Sequence, residues 1–344
     1  MAKYLLVGLI LFLTACNNNG KPNVSNIKVN LEVERFEQAF FKIDSAHLRQ
    51  GLVFVRNSYP DFYPFYFKNV LGINPADTTN FPGIWNVISS YKALNDSVQK
   101  KYPNLDFLKD ELTQGFKYVK YYYPEYKVPK IITIIGPLDA WANLGNNKFT
   151  PDFITPDYLG ISLQFYLGKH FSVYQTQRYI DDIAPPYRST RFDKEYMSAE
   201  AMYVVADDIY PDKSVGRPLI EQMIEKGKQW YLLDHFMPDA PDSVKTGYTT
   251  SQLNWIKSNE GNAWGWLVKN ADLYTIDPET LQIYLGEGPF TQGMPEQGSP
   301  GNLGQWLGWR IVQKYADNHN KKTLQEVLAT PAKTLFEESG YKPK

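Results

Sequence analysis

Lys130-Ile-Ile-Thr-Ile-Ile135 is β-branched at every position after the lysine. Such side chains lose freedom in a helix and pack well on a pleated surface, so this short apolar run reads as a buried strand. Toward the C-terminus, residues 158–167 (YLGISLQFYL) give a second strand signal that alternates in part. Toward the N-terminus, Ile27, Val29, Leu31 and Val33 alternate with Lys28, Asn30, Glu32 and Glu34, the period of a half-buried strand. Around these runs the pattern is helical. Helices are predicted over 44–56 with Asp44 or Ser45 as cap, over 105–123, Lys194–Ile209, 218–233 and Thr250–Asn270. Ser299-Pro300 predicts the start of a last long helix, with Ser299 as cap and Pro300 at the first helical position, and Thr330-Pro331 repeats the device. The expectation is an α+β fold, helix-dominated with a small sheet, in a single globular domain over 27–344.

The N-terminus carries an address. An apolar run follows Lys3 and ends in Leu13-Thr14-Ala15-Cys16, which resembles the lipobox of bacterial lipoproteins. The run is too short for a hydrocarbon core that needs about 20 residues. Residues 1–15 are therefore expected to be a signal peptide, Cys16 to carry lipid (palmitate among its acyl chains), and 16–26 to be a tether broken by Gly20 and Pro22. Attachment to the cell membrane would run through that lipid. Residues 17–21 (NNNGK) lack the acids expected of a surface-exported lipoprotein, so the periplasmic side is expected. Cys16 is the only cysteine, which excludes thiol catalysis and disulfide frameworks. With 36 Lys+Arg against 37 Asp+Glu there is no basic field for nucleic acid.

Sequence motifs of catalysis are missing. His47, His170, His235 and His319 do not form a His-Glu-x-x-His pair, and neither a nucleophile elbow nor a phosphate loop occurs. Asp181-Asp182 and Asp207-Asp208 read as solvated helix ends, because helix neighbours point about 100° apart. Residues 286–309 (GEGPFTQGMPEQGSPGNLGQWLGW) combine a glycine-rich loop with Gly304 and Gly308 on one helix face, a place for close backbone approach. Such a loop is either a contact surface or a structural turn. Pro289, Phe290, Trp306 and Trp309 are the candidate partner contacts.

The lipobox, residues 27–37, Ile161-Ser-Leu-Gln-Phe-Tyr-Leu-Gly168 and above all Ser299-Pro-Gly-Asn-Leu-Gly-Gln-Trp-Leu-Gly-Trp-Arg-Ile-Val312 resemble the gliding motility lipoprotein GldB family. That resemblance covers essentially the whole chain. It implies a membrane-anchored lipoprotein needed for gliding and tied to type IX secretion, with other envelope motility or secretion proteins as partners. The family is in turn distantly similar to predicted zinc-dependent peptidases, which implies a zincin-like scaffold. In that register Ala199 and Tyr203 stand where two histidines would be, Glu200 keeps the general-base position, and Lys226 replaces a ligand glutamate. Alanine has no lone pair and lysine repels a cation, so the expectation is a metal-free, cofactor-free, non-catalytic binding scaffold. The alternative is a glycan-binding or glycan-cleaving envelope lipoprotein, for which Trp255, Trp264, Trp266, Trp306 and Trp309 and an acid pair would serve. Asp44-Ser45-Ala46 and Asp242-Ser243-Val244 resemble O-glycosylation triplets of gliding bacteria.

Overall fold

The computed structural model describes residues 21–145 and 148–344. The expected signal peptide, Cys16 and the first part of the tether lie outside the described residues.

The sheet sits where the β-branched run predicts it. Strand β1 (Val33–Arg35) pairs in parallel with β2 (Lys130–Ile134), Val33 opposite Ile131. The short strands β3 (Ala142–Asn143) and β4 (Phe149–Thr150) form a separate antiparallel hairpin. Strand β5 (Phe153–Ile154) lies antiparallel on the edge of β6 (Tyr158–Ser162), which runs parallel to β2. The main sheet has the order β1-β2-β6-β5. After Ser162 the second apolar run leaves the sheet as a 3-10 turn, Leu163–Phe165.

Two apolar cores meet at this sheet. Ile132, Ile134, Phe153 and Tyr158 face an aromatic cluster that includes Phe36, Phe40, Phe62, Tyr66 and Phe67. The ring centroids of Phe36 and Tyr66 are 4.6 Å apart. Ile131, Leu159 and Ile161 belong to a larger helical core. Its members include the Asp106–Tyr122, Lys194–Ile209, Leu219–Phe236 and Leu303–Asn318 helices. Parallel strands covered on both faces are expected to be apolar nearly throughout, and β2 and β6 are.

The glycine spacing at the C-terminus has its expected use. The Leu303–Asn318 helix lies backbone-to-backbone on Leu219–Phe236: a Cβ on Gly308 would fall 1.8 Å from the Met223 carbonyl oxygen. One on Gly227 would fall 2.3 Å from the Gly308 carbonyl carbon, so both helices contribute a glycine to the crossing.

Several local expectations are corrected. Within residues 27–33 burial partly alternates, but only Val33 is paired, because β2 offers a parallel partner from Ile131 onward. The first helix predicted over 44–56 begins four residues later, as Leu48–Ser58. Asp44 Oδ1 accepts the His47 backbone N–H at 2.9 Å, closing the turn ahead of that helix and not capping it. The last long helix starts at Leu303 from Asn302, which has φ 40°. Ser299 is no cap; its hydroxyl donates to the Pro295 carbonyl.

Candidate functional site

The Lys194–Ile209 helix begins at Asp193, whose Oδ1 accepts the Lys194 N–H at 2.8 Å. It packs between β5–β6 and the Asp106–Tyr122 and Leu219–Phe236 helices. Burial of Met197, Ala201, Met202, Val204 and Val205 fixes its rotation. Ala199, Glu200 and Tyr203 consequently line one cleft of about 80 Å³. Trp141 and residues 149–151 form another wall, with Arg188, Arg191, Trp230, Lys245 and Glu287 closing the rest.

Two arginines converge on Glu287, which comes from the glycine-rich loop. Arg191 Nη2 donates to Glu287 Oε1 at 3.0 Å, and Arg188 Nε lies 3.3 Å from Oε2. Arg188 also donates to the Phe149 carbonyl at 2.6 Å and lies 4.0 Å over the Trp141 ring. Burial alone would raise the Glu287 carboxyl, but Arg191 and Arg188 hold it below its usual range. Glu200 is placed differently. Its nearest cation, Arg191 Nη1, is 3.9 Å away, beyond hydrogen-bond reach. No hydrogen bond reaches the Glu200 carboxylate from the described residues. Burial pushes this carboxyl above the usual range despite the opposing pull of Arg191.

Deeper in, Asp152 accepts the Ser162 N–H at 3.0 Å and the Tyr166 hydroxyl at 2.7 Å. Burial outweighs both bonds and pushes its carboxyl up to about 8. On the far side Lys148 sits 4.0 Å over the Tyr203 ring and donates to Asp207 at 2.9 Å. Asp207 is therefore a buried partner of a hairpin lysine and not a solvated helix end. Asp208, its neighbour, accepts the Tyr126 hydroxyl at 2.9 Å.

The expected third position does not converge with the other three. The Lys226 ammonium lies 3.2 Å from Asp212, outside the cleft. Trp230, one turn further along the same helix, supplies the cleft wall instead. Among the described residues no group of three or more His, Cys, Asp or Glu could hold a metal ion. Arg188, Arg191, Lys148 and Glu287 were not legible as site residues. They come from three distant segments, 148, 188–191 and 287, and the glycine-rich composition of 286–298 is the only signal near any of them.

A second concavity, of about 530 Å³, lies beyond Lys245 and is walled by Lys21 and Pro22 on one side. Its floor holds Trp306 and Trp309, each 2% exposed. Their indole N–H groups donate to Glu260 (3.1 Å) and Asp234 (2.7 Å). These two tryptophans are interior side chains and not surface contacts, and they offer no open face to a sugar ring. Trp255 and Trp264 are half-buried, while Trp266 is exposed. Of the other expected contacts, Pro289 is exposed and Phe290 half-buried, and Gln252 Nε2 donates to the Pro289 carbonyl at 3.1 Å.

The family model for gliding motility protein GldB matches residues 17–343. The chain belongs to the GldB family. Membership ties this GldB-family chain to gliding motility and to membrane association through a lipid anchor. Among the described residues no helix is long and apolar enough to cross a membrane. No curated protein and no solved structure matches the chain.

Proposed function

We propose that this GldB-family chain is a non-catalytic envelope lipoprotein, anchored through Cys16 on the periplasmic side. It supports gliding motility and the associated type IX secretion machinery by binding another envelope protein in the Glu200 cleft. The observation that carries this reading is the content of that cleft. Where a zinc peptidase would present two imidazoles, the helix presents Ala199 and Tyr203, and the tyrosine ring carries the Lys148 ammonium. A catalytic zinc needs three protein ligands, and a cation this close disfavours a second one. The peptidase-like scaffold is supported by a mixed sheet whose antiparallel edge strand, β5, rests against the helix bearing Glu200.

The test is genetic and chemical. Glu200→Ala and Arg191→Ala, placed in the chromosomal copy, should abolish gliding and secretion while the protein persists at its normal level in the membrane fraction. Normal gliding and secretion in both variants would sink the cleft as the binding site. Separately, metal analysis of the purified full chain should find no stoichiometric zinc; one zinc per chain would end the pseudo-enzyme reading.

A further inference from the structure

Charge in the Glu200 cleft is balanced, but hydrogen bonding is not. Arg188 and Arg191 face Glu287 and Glu200, Lys148 is held by Asp207, and Lys245 by Asp234 at 2.6 Å. A charged ligand group would therefore add an uncompensated charge to a partly buried site. Glu200 nevertheless accepts no hydrogen bond from the described residues, although it lines the cleft. The Glu200 side chain is 20% exposed, so its carboxylate is open to a donor from outside, and a neutral N–H or O–H can fill that place without adding charge.

Size narrows the class. About 80 Å³ is far below the roughly 300 Å³ at which ordinary small-molecule sites begin. Residues 149–151, which form one wall, run from β4 toward β5, so the cleft is bordered by extended main chain. Resting on the reading that this cleft binds a partner protein, we propose that the partner lays an uncharged, extended main-chain segment along the 149–151 wall, with a single amide N–H entering the cleft to donate to Glu200. Arg191 stays engaged with Glu287 in this arrangement, and specificity comes from hydrogen bonding and shape, not from ion pairing.

The test selects binders from a random dodecapeptide display library against the full-length lipidated chain in detergent micelles. Binding is then measured on wild type, Glu200→Leu and Glu200→Gln. Glu200→Leu should weaken the selected peptides at least about ten-fold, and Glu200→Gln, which keeps an acceptor, should weaken them less. N-methylation of one backbone amide in the peptide should reproduce the Glu200→Leu loss. Raising salt from about 0.05 to about 0.5 M should change Kd less than about two-fold, because no exposed charge pair is made. Where Glu200→Leu fails to fold, as judged by its thermal melt, the N-methyl scan and Glu200→Gln carry the test.

Three outcomes would overturn the proposal. One is affinity that depends on a peptide Lys, Arg, Asp or Glu and collapses with salt. A second is tolerance of N-methylation at every position. The third is recovery of no Glu200-dependent peptide, with binding of glycan oligomers in its place. If gliding still fails in Glu200→Leu cells under any of these outcomes, only the ligand class falls. The cleft reading falls separately, when those cells glide.

Discussion

The two concavities on either side of Lys245 both contain carboxylates held by cations, but the cleft adds one, Glu200, that takes no hydrogen bond from the described residues. In the tether-side groove every acid on the floor is saturated. Glu260 takes the Trp306 indole, Arg310 at 3.1 Å and the Tyr341 hydroxyl at 2.9 Å. Asp234 takes the Trp309 indole, Gln313 at 2.9 Å and Lys245 at 2.6 Å. In the cleft, Glu200 has a cation at 3.9 Å and no hydrogen bond from the described residues. The larger hollow is thus braced by its acids, whereas the smaller one holds an acid with unused acceptor capacity.

Stability measurements can break this contrast. The largest loss is expected from Gly308→Ala, which drives a methyl into the Met223 carbonyl and parts the helices that carry the groove floor. Urea unfolding should show a loss on the order of 3 kcal/mol. A cost below 1 kcal/mol would mean that the crossing is looser than its geometry. Next, Glu260→Ala strands an indole, a guanidinium and a phenol together, so a loss of about 2–3 kcal/mol is expected by the same method.

The third prediction concerns pH. Asp152 is raised to about 8 when folded, while in the unfolded chain it titrates near the ordinary carboxylate value. Below about 4 both states are protonated and the group has no effect on stability. From there up to about 8 the unfolded chain releases the proton and the folded one retains it, so stability falls as pH rises. The Glu200 carboxyl, also raised, adds to the same slope from the acid side. Denaturation at stepped pH should show a shallower fall for Asp152→Asn than for wild type. Equal slopes would refute the assignment.

The smallest stability effect is expected from Glu200→Gln, within about 1 kcal/mol of wild type in either direction. A loss as large as that of Glu260→Ala would erase the distinction between the two sites and make Glu200 a structural acid.

The parts of the fold that could be read from sequence are those set by local chemistry. Strand β2, the start of β6 and the Lys194–Ile209 and Thr250–Asn270 helices follow from β-branching, periodicity and caps. Even there tertiary structure intervened, since Asn259 kinks the latter helix with φ −126°. Residues 27–33 have the alternation of a strand but little neighbour to pair with. Ser299 has a capping side chain that is engaged elsewhere. Asp207 looked solvated because its partner, Lys148, is remote in sequence and comes from a hairpin. The cleft was half legible. Ala199, Glu200 and Tyr203 share a helix face, which spacing reveals, whereas the arginine pair and Glu287 meet only through the tertiary fold. Lys226 does not line the cleft whereas Trp230 does, and a one-turn difference on a helix buried nearly all round leaves no periodic signal to choose between them.

The pairing of β1 with β2 has a mechanical consequence. The N-terminal segment is the side on which an anchored protein would be pulled, and among the described residues β1 is the first strand along it. Because β1 lies parallel to β2 over the pairs Val33–Ile131, Glu34–Ile132 and Arg35–Thr133, a pull along its axis shears these contacts together instead of unzipping them one by one. Arg35 adds a cross-brace, donating to the Tyr102 carbonyl at 3.1 Å and to Gln99 at 3.2 Å. Load that arrives along the β1 axis at Val33 is therefore spread over three residue pairs of the sheet at once.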